Sequence, residues 1–223
     1  MTSAASTTRP DTTEMVFVHN CFRQQFQALP GLVRAVPNGD VGRAAVVVEF
    51  LTELTTALHH HHEGEDELMW PLLLEQAPMD SALILRMEEQ HERIAELYRL
   101  AADFAAAFGR TADADSRTDL SDTLAELVVA LEEHLHDEEV HILPLVEQVM
   151  TVPQWEALGE RGRAGLPKDR QLVFLGFLLA ANTPERGREF LRSMPVPARI
   201  AWKVMGRKAF DREYRRIYGV GPS

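Results

Sequence analysis

The chain has 223 residues, 45% of them hydrophobic, and a formal net charge of −11, which fits one core-forming domain or one domain with an addition. Its single cysteine, Cys21, excludes an internal disulfide, and no apolar run, Leu172 to Ala181 included, is long enough to span a membrane. The polar N-terminus has no apolar signal core, so a soluble, cytoplasmic protein is expected.

Residues 1–12 are small and polar and read as a disordered N-terminus. A helical pattern begins at Thr13, with Val16, His19, Phe22 and Phe26 on one face, and Pro30-Gly31 is expected to end it. Asp40 is a cap for a second helix reaching about Glu75, whose stripe is Leu51, Leu54, Leu58, His61, Glu65, Leu68 and Leu72. Asp80 is expected to cap a third, from Ser81 to Phe108, with Ile84, Met87, His91, Ile94 and Tyr98 in line. Residues 109–119 read as a linker. A fourth helix runs to about Met150 and carries Leu124, Leu127, Leu131, His134, Glu138 and Ile142. Four long helices with short connections predict an all-α fold, an antiparallel four-helix bundle over residues 13–150.

Residues 151–223 read as shorter helices over 154–161, 168–181, 184 onward and 197–218, with Thr183-Pro184 as a helix start. They carry 14 Lys+Arg against 7 Asp+Glu, which leaves the preceding part with 9 against 27. The acidic part is not expected to bind nucleic acid, and the basic extension is expected to pack on the bundle. No membrane partner is expected.

In each bundle helix a histidine interrupts an apolar stripe. A lone histidine on such a face is ordinarily a core residue with a hydrogen-bond partner; four of them on four facing stripes call for a shared cause. His61, Glu65 and Pro71 recur at the spacing of His134, Glu138 and Pro144. His at i and Glu at i+4 share a helix face, one turn apart, which suits a metal ion. Two such pairs can enclose two metals. Each proline removes a backbone donor, so both helices should kink or restart there. In the run His59-His60-His61-His62 neighbours fan out by about 100° each. The repeat selects His61, with His62 as the alternative. Gly64 permits a close helix approach or a local irregularity.

These residues resemble the hemerythrin-like HHE cation-binding domain family. Its pattern of His, His-x-x-x-Glu, His and His-x-x-x-Glu is filled by His19, His61 and Glu65, His91, and His134 and Glu138. The resemblance implies two non-haem iron ions inside the bundle, with Mn or Zn as other occupants. His19 and His61 would hold one ion, His91 and His134 the other, and Glu65 and Glu138 would bridge. O2-carrying members place a second histidine where this chain has Ala95, and use His-x4-Asp on the last helix. The departures imply a site poorer in histidine and more open, able to take O2, peroxide, NO or a small-molecule substrate. Tyr98 and Glu88 approach the His91 face; Tyr98 is a candidate proton or electron donor, and Glu88 reads as a solvated charge. An O2- or peroxide-dependent oxidoreductase is expected, the other reading being a non-enzymatic O2, NO or iron sensor. A ferritin-like reading through Glu88-x-x-His91 and Glu138-x-x-His141 would leave His19, His61 and His134 unexplained.

Overall fold

The computed structural model describes residues 9–222, so the disorder expected for residues 1–8 lies outside the described residues. The chain is all-α, with no strand among the described residues. Helix α1 spans Thr13–Arg34, α2 Val41–Leu68, α3 Trp70–Gln76, α4 Ser81–Thr111 and α5 Ala114–Asp137. A π turn over Glu138–Ile142 leads into α6, Leu143–Val149. Helices α1, α2, α4 and α5 form the bundle, in a ring of contacts α1–α2–α4–α5–α1.

The core explains the antiparallel order. It consists of two apolar clusters, one around Phe26, Phe50 and Phe108 and one around Trp70, Ile84 and Met87. Helix α1 runs from the second cluster (Met15) to the first (Phe22). Helix α2 returns from Leu58 to Met69, α4 goes from Met87 to Ile94, and α5 from Leu131 toward Ile142. Each helix crosses the gap between the clusters once, and His19, Glu65, His91 and His134 lie at the crossing points.

Helix ends follow local chemistry, with corrections to the sequence expectations. Helix α1 does not stop at Pro30-Gly31; it continues to Arg34, because Val33 and Val36 are buried with Leu29. Asp40 caps α2 by accepting from the Arg43 N–H at 2.9 Å, whereas the Asp80 side chain makes no cap bond to α4. The expected linker over 109–119 shrinks to two residues. Ala112 adopts a left-handed conformation, φ 47°, and Asp113 accepts from the Ser116 N–H to start α5. Residues 9–12 are not free: Pro10 and Thr12 are buried, and the Thr12 hydroxyl donates to Glu147 at 2.8 Å.

Both prolines act as expected. Helix α2 breaks at Met69 and restarts with Pro71 in the first turn of α3. In the second copy the ladder widens, the Leu143 N–H reaching back to the Glu138 carbonyl, and Pro144 sits in the first turn of α6. Such wide turns are rare and occur often at functional sites.

Five more helices follow: α7 Val152–Ala164, α8 Gln171–Ala180, α9 Pro184–Ser193, α10 Val196–Ala201 and, after a π turn, α11 Arg207–Tyr218. Val173, Phe174, Phe177, Phe210 and Ile217 belong to the same apolar cluster as Phe26 and Phe50. Helix α7 crosses α2 at Gly64, where an added Cβ would lie 3.3 Å from Leu158 and 3.4 Å from Arg161. The close approach read from Gly64 is therefore present. Cations reach back to bundle carboxylates: Arg161 to Glu63 and Glu67, Arg170 to Glu53, and Arg216 to Glu49. The Phe210 ring lies so near Gly176 that an added Cβ would sit 2.3 Å from it. Gly176→Ala should therefore overpack the α8–α11 contact and lower stability by about 1–3 kcal/mol. Urea denaturation tests this; an unchanged midpoint would contradict the packing described.

Candidate metal centre

The layer between the apolar clusters holds five histidines and two carboxylates. Helix α1 supplies His19, α2 supplies His61, His62 and Glu65, α4 supplies His91, and α5 supplies His134 and leads into Glu138. His19, Glu65, His134 and Glu138 are 0% exposed, and His62 and His91 5%. Their donor atoms form two groups, each with all its atoms within 4.8 Å of one another. One is His19, His61, Glu65 and Glu138; the other is His62, Glu65, His91 and His134.

All six residues singled out in the sequence meet here, and a seventh, His62, joins them. Beside the four histidines of the expected ligand set the structure thus places a fifth. His61 and His62 are not alternatives. Successive residues on a helix diverge by about 100°, so α2 sends one imidazole into each group. The sequence signal was the His run itself; the repeat hid it because the second copy has Leu135 at the matching place. His59, His136 and His141 are exposed and His60 is half-buried, all outside both groups. Glu88 also lies outside, which removes the ferritin-like reading. The Tyr98 hydroxyl meets His59 Nδ1 at 3.1 Å rather than the donor atoms.

The geometry is that of a cage around cations. Glu65 Oε1 is 3.1 Å from His61 Nε2, and its Oε2 is 3.4 Å from His91 Nε2, so each oxygen faces a different group. Glu138 Oε2 is 3.3 Å from His19 Nε2 and 3.8 Å from His134 Nε2. The Nε2 atoms of His19 and His61 approach to 3.3 Å, and those of His91 and His134 to 3.2 Å. Two ligands about 2.1 Å from one ion at a right angle lie about 3.0 Å apart, so these separations suit a shared metal. No oxygen of Glu65 or Glu138 has a hydrogen-bond partner, nor does His62 Nε2, though all are buried. Unpaired buried carboxylates are costly; cations are the partners this donor set fits.

Three imidazoles are oriented from behind. His19 Nδ1 lies 2.9 Å from Glu139, which Arg23 holds at 2.7 Å. His91 Nδ1 lies 2.7 Å from Asp66, which also accepts from the Trp70 indole at 2.9 Å. His134 Nδ1 lies 3.3 Å from the Gln90 amide oxygen. A proton on each Nδ1 leaves the Nε2 lone pair facing inward, the form that binds metal.

Titration follows from the same contacts. Burial alone would depress His19, but Glu138 and Glu139 outweigh it and raise its pKa to about 9. His91 is likewise raised to about 9 against its burial, by Asp66 and Glu65. Burial and the charge on His19 push His61 down to about 3. Burial and the charge on His91 push His62 and His134 down as well. Burial and the neighbouring Glu138 raise Glu65, while Glu138 goes down despite burial because His19 faces it.

Residues 11–146 match the model of the hemerythrin HHE cation binding domain. The chain belongs to this family. No curated protein and no solved structure shows a significant match to it. The family's HHE pattern and the two His/Glu donor groups thus meet on the same four helices, and together they mark a cation-binding centre.

Two outcomes test the assignment. Glu65→Ala, which removes the carboxylate shared by both groups, should leave at most one ion per chain by metal analysis, and His62→Ala should lower occupancy too. Two ions retained in Glu65→Ala would contradict the shared role. Metal binding must also displace the protons that His19 and His91 hold up to about 9. Affinity for a divalent cation should therefore rise with pH up to about 9 and fall below it, with about two protons released per chain at pH 7. Calorimetry in buffers of different ionisation enthalpy reads that release; a pH-independent affinity would contradict it.

Proposed function

We propose that this chain is a non-haem di-iron protein that binds and reacts with O2 or peroxide. The observation that carries the reading is the pair of four-donor groups sharing Glu65, with its two oxygens turned to different groups. The donors are imidazole and carboxylate only, and the one cysteine, Cys21, is not among them. That set suits Fe or Mn better than a thiolate-rich structural zinc site. Bound iron would supply one-electron redox steps and polarise an oxygen ligand. His19, His61, Glu65 and Glu138 would hold one ion; His62, His91 and His134 would hold the other with Glu65.

Four protein donors per ion leave coordination positions for a small ligand, and the α2/α4 groove offers an approach to them. A cleft of about 350 Å³ there is lined by His62, His91, Ala95 and Tyr98 among others. Ala95 offers only a methyl group where a larger residue would fill the groove. Tyr98, hydrogen-bonded to His59 at the cleft wall, would pass a proton to a ligand held in the cleft. The absence of a further nitrogen donor from the Ala95 position favours turnover over reversible O2 carriage.

The test is addition of peroxide to iron-loaded protein. Catalytic loss of peroxide, reduced at least tenfold in Tyr98→Phe, is the expected result. A stable stoichiometric adduct without turnover would contradict the enzymatic reading and favour an O2, NO or iron sensor.

A further inference from the structure

Six of the seven donor residues are buried and the His61 side chain is only 13% exposed, so a cation must cross the protein wall to reach most of them. Two of the four grooves between bundle helices are closed by charged bridges. Arg23 and Glu139 lie across α1/α5 behind His19. Arg86, Asp137 and Gln90 lie across α4/α5 behind His134. The apolar clusters cover both ends of the layer. The α2/α4 groove instead holds the cleft, whose lining runs from surface carboxylates to two of the buried imidazoles.

We propose that the α2/α4 cleft is the port through which hydrated divalent cations reach the centre, with Glu88 and Glu92 collecting the ion at the mouth and His62 receiving it. Two separate features point there. Four carboxylates line the cleft: Glu63, Asp66, Glu88 and Glu92. Glu63 is offset by Arg161, and Asp66 is engaged by His91 and Trp70. Glu88 and Glu92 have no basic partner within 4.0 Å among the described residues, so their charge is directed at whatever enters. Independently, His62 Nε2 is an unpartnered buried nitrogen, and His62 lines the same cleft. A cation drawn in by the carboxylates meets that lone pair, exchanges water for imidazole, and reaches Glu65, through which the second group is filled.

An acidic mouth raises the local concentration and arrival rate of a cation, by up to roughly ten- to a thousandfold, and the effect falls with salt. Neutral O2 or peroxide gains nothing from it. The acidic mouth is therefore matched to cation loading rather than to oxidant access, although both can use the same opening.

The inference rests on the proposed metal centre and is tested on the full-length chain by stopped-flow uptake of Co(II), with stoichiometry measured separately. The double variant Glu88→Gln/Glu92→Gln should load about tenfold more slowly at low salt and lose most of the salt dependence. Ala95→Phe, which fills the cleft, should slow both uptake and removal by a chelator. Two ions per chain should still bind at equilibrium in each variant. Wild-type rates and salt dependence in both variants would overturn the port while leaving the centre standing. Failure of the wild-type chain to bind two ions would overturn the centre, and the port with it.

Discussion

Two carboxylates with no hydrogen-bond partner lie at the middle of this bundle, and the structure is arranged around them. Glu65 and Glu138 are 0% exposed, and all four of their oxygens lack partners. Removing one ionised carboxylate from water costs several kcal/mol even after relaxation. The surrounding imidazoles offset part of that cost only when protonated, and then two of them, His19 and His91, take the positive charge. A pair of divalent cations, as proposed, would satisfy every donor at once and leave all five imidazoles neutral. Metal binding through these groups would be coupled to folding, since a ligand that binds only the folded state stabilises it.

The layered core makes this arrangement possible. Two apolar clusters fix the four helices on either side of the polar layer, so donors from distant parts of the sequence meet without loops to position them. The irregularities sit next to the donors. Helix α2 breaks four residues after Glu65, and the π turn begins at Glu138. In both, a proline six residues past the carboxylate prevents the regular helix from continuing. Behind the donors, Glu139, Asp66 and Gln90 hold three rings by Nδ1, so their orientation is set before any ion arrives.

Much of this was legible in the chain. Apolar periodicity gave the four bundle helices and, through the histidines that interrupt each stripe, His19 and His91; the matched His, Glu and Pro spacing gave His61, Glu65, His134 and Glu138. His62 was hidden by the logic of the repeat: α2 contributes two adjacent imidazoles and α5 only one, so aligning the copies discards the extra residue. Helix ends were misread where burial overrode local signals. Val33 and Val36 carry α1 past Pro30, and Ala112 accepts a left-handed conformation without glycine so that α4 and α5 can join over two residues. Asp66 as the partner of His91 was not legible either, because the contact joins two helices and leaves no spacing signal.

The most direct measurement is anomalous scattering at the iron edge from crystals of iron-loaded protein. The account predicts two peaks in the polar layer, one beside His19 and His61 and the other beside His62, His91 and His134, with Glu65 between them. A single peak, or a pair that Glu65 does not join, would contradict it.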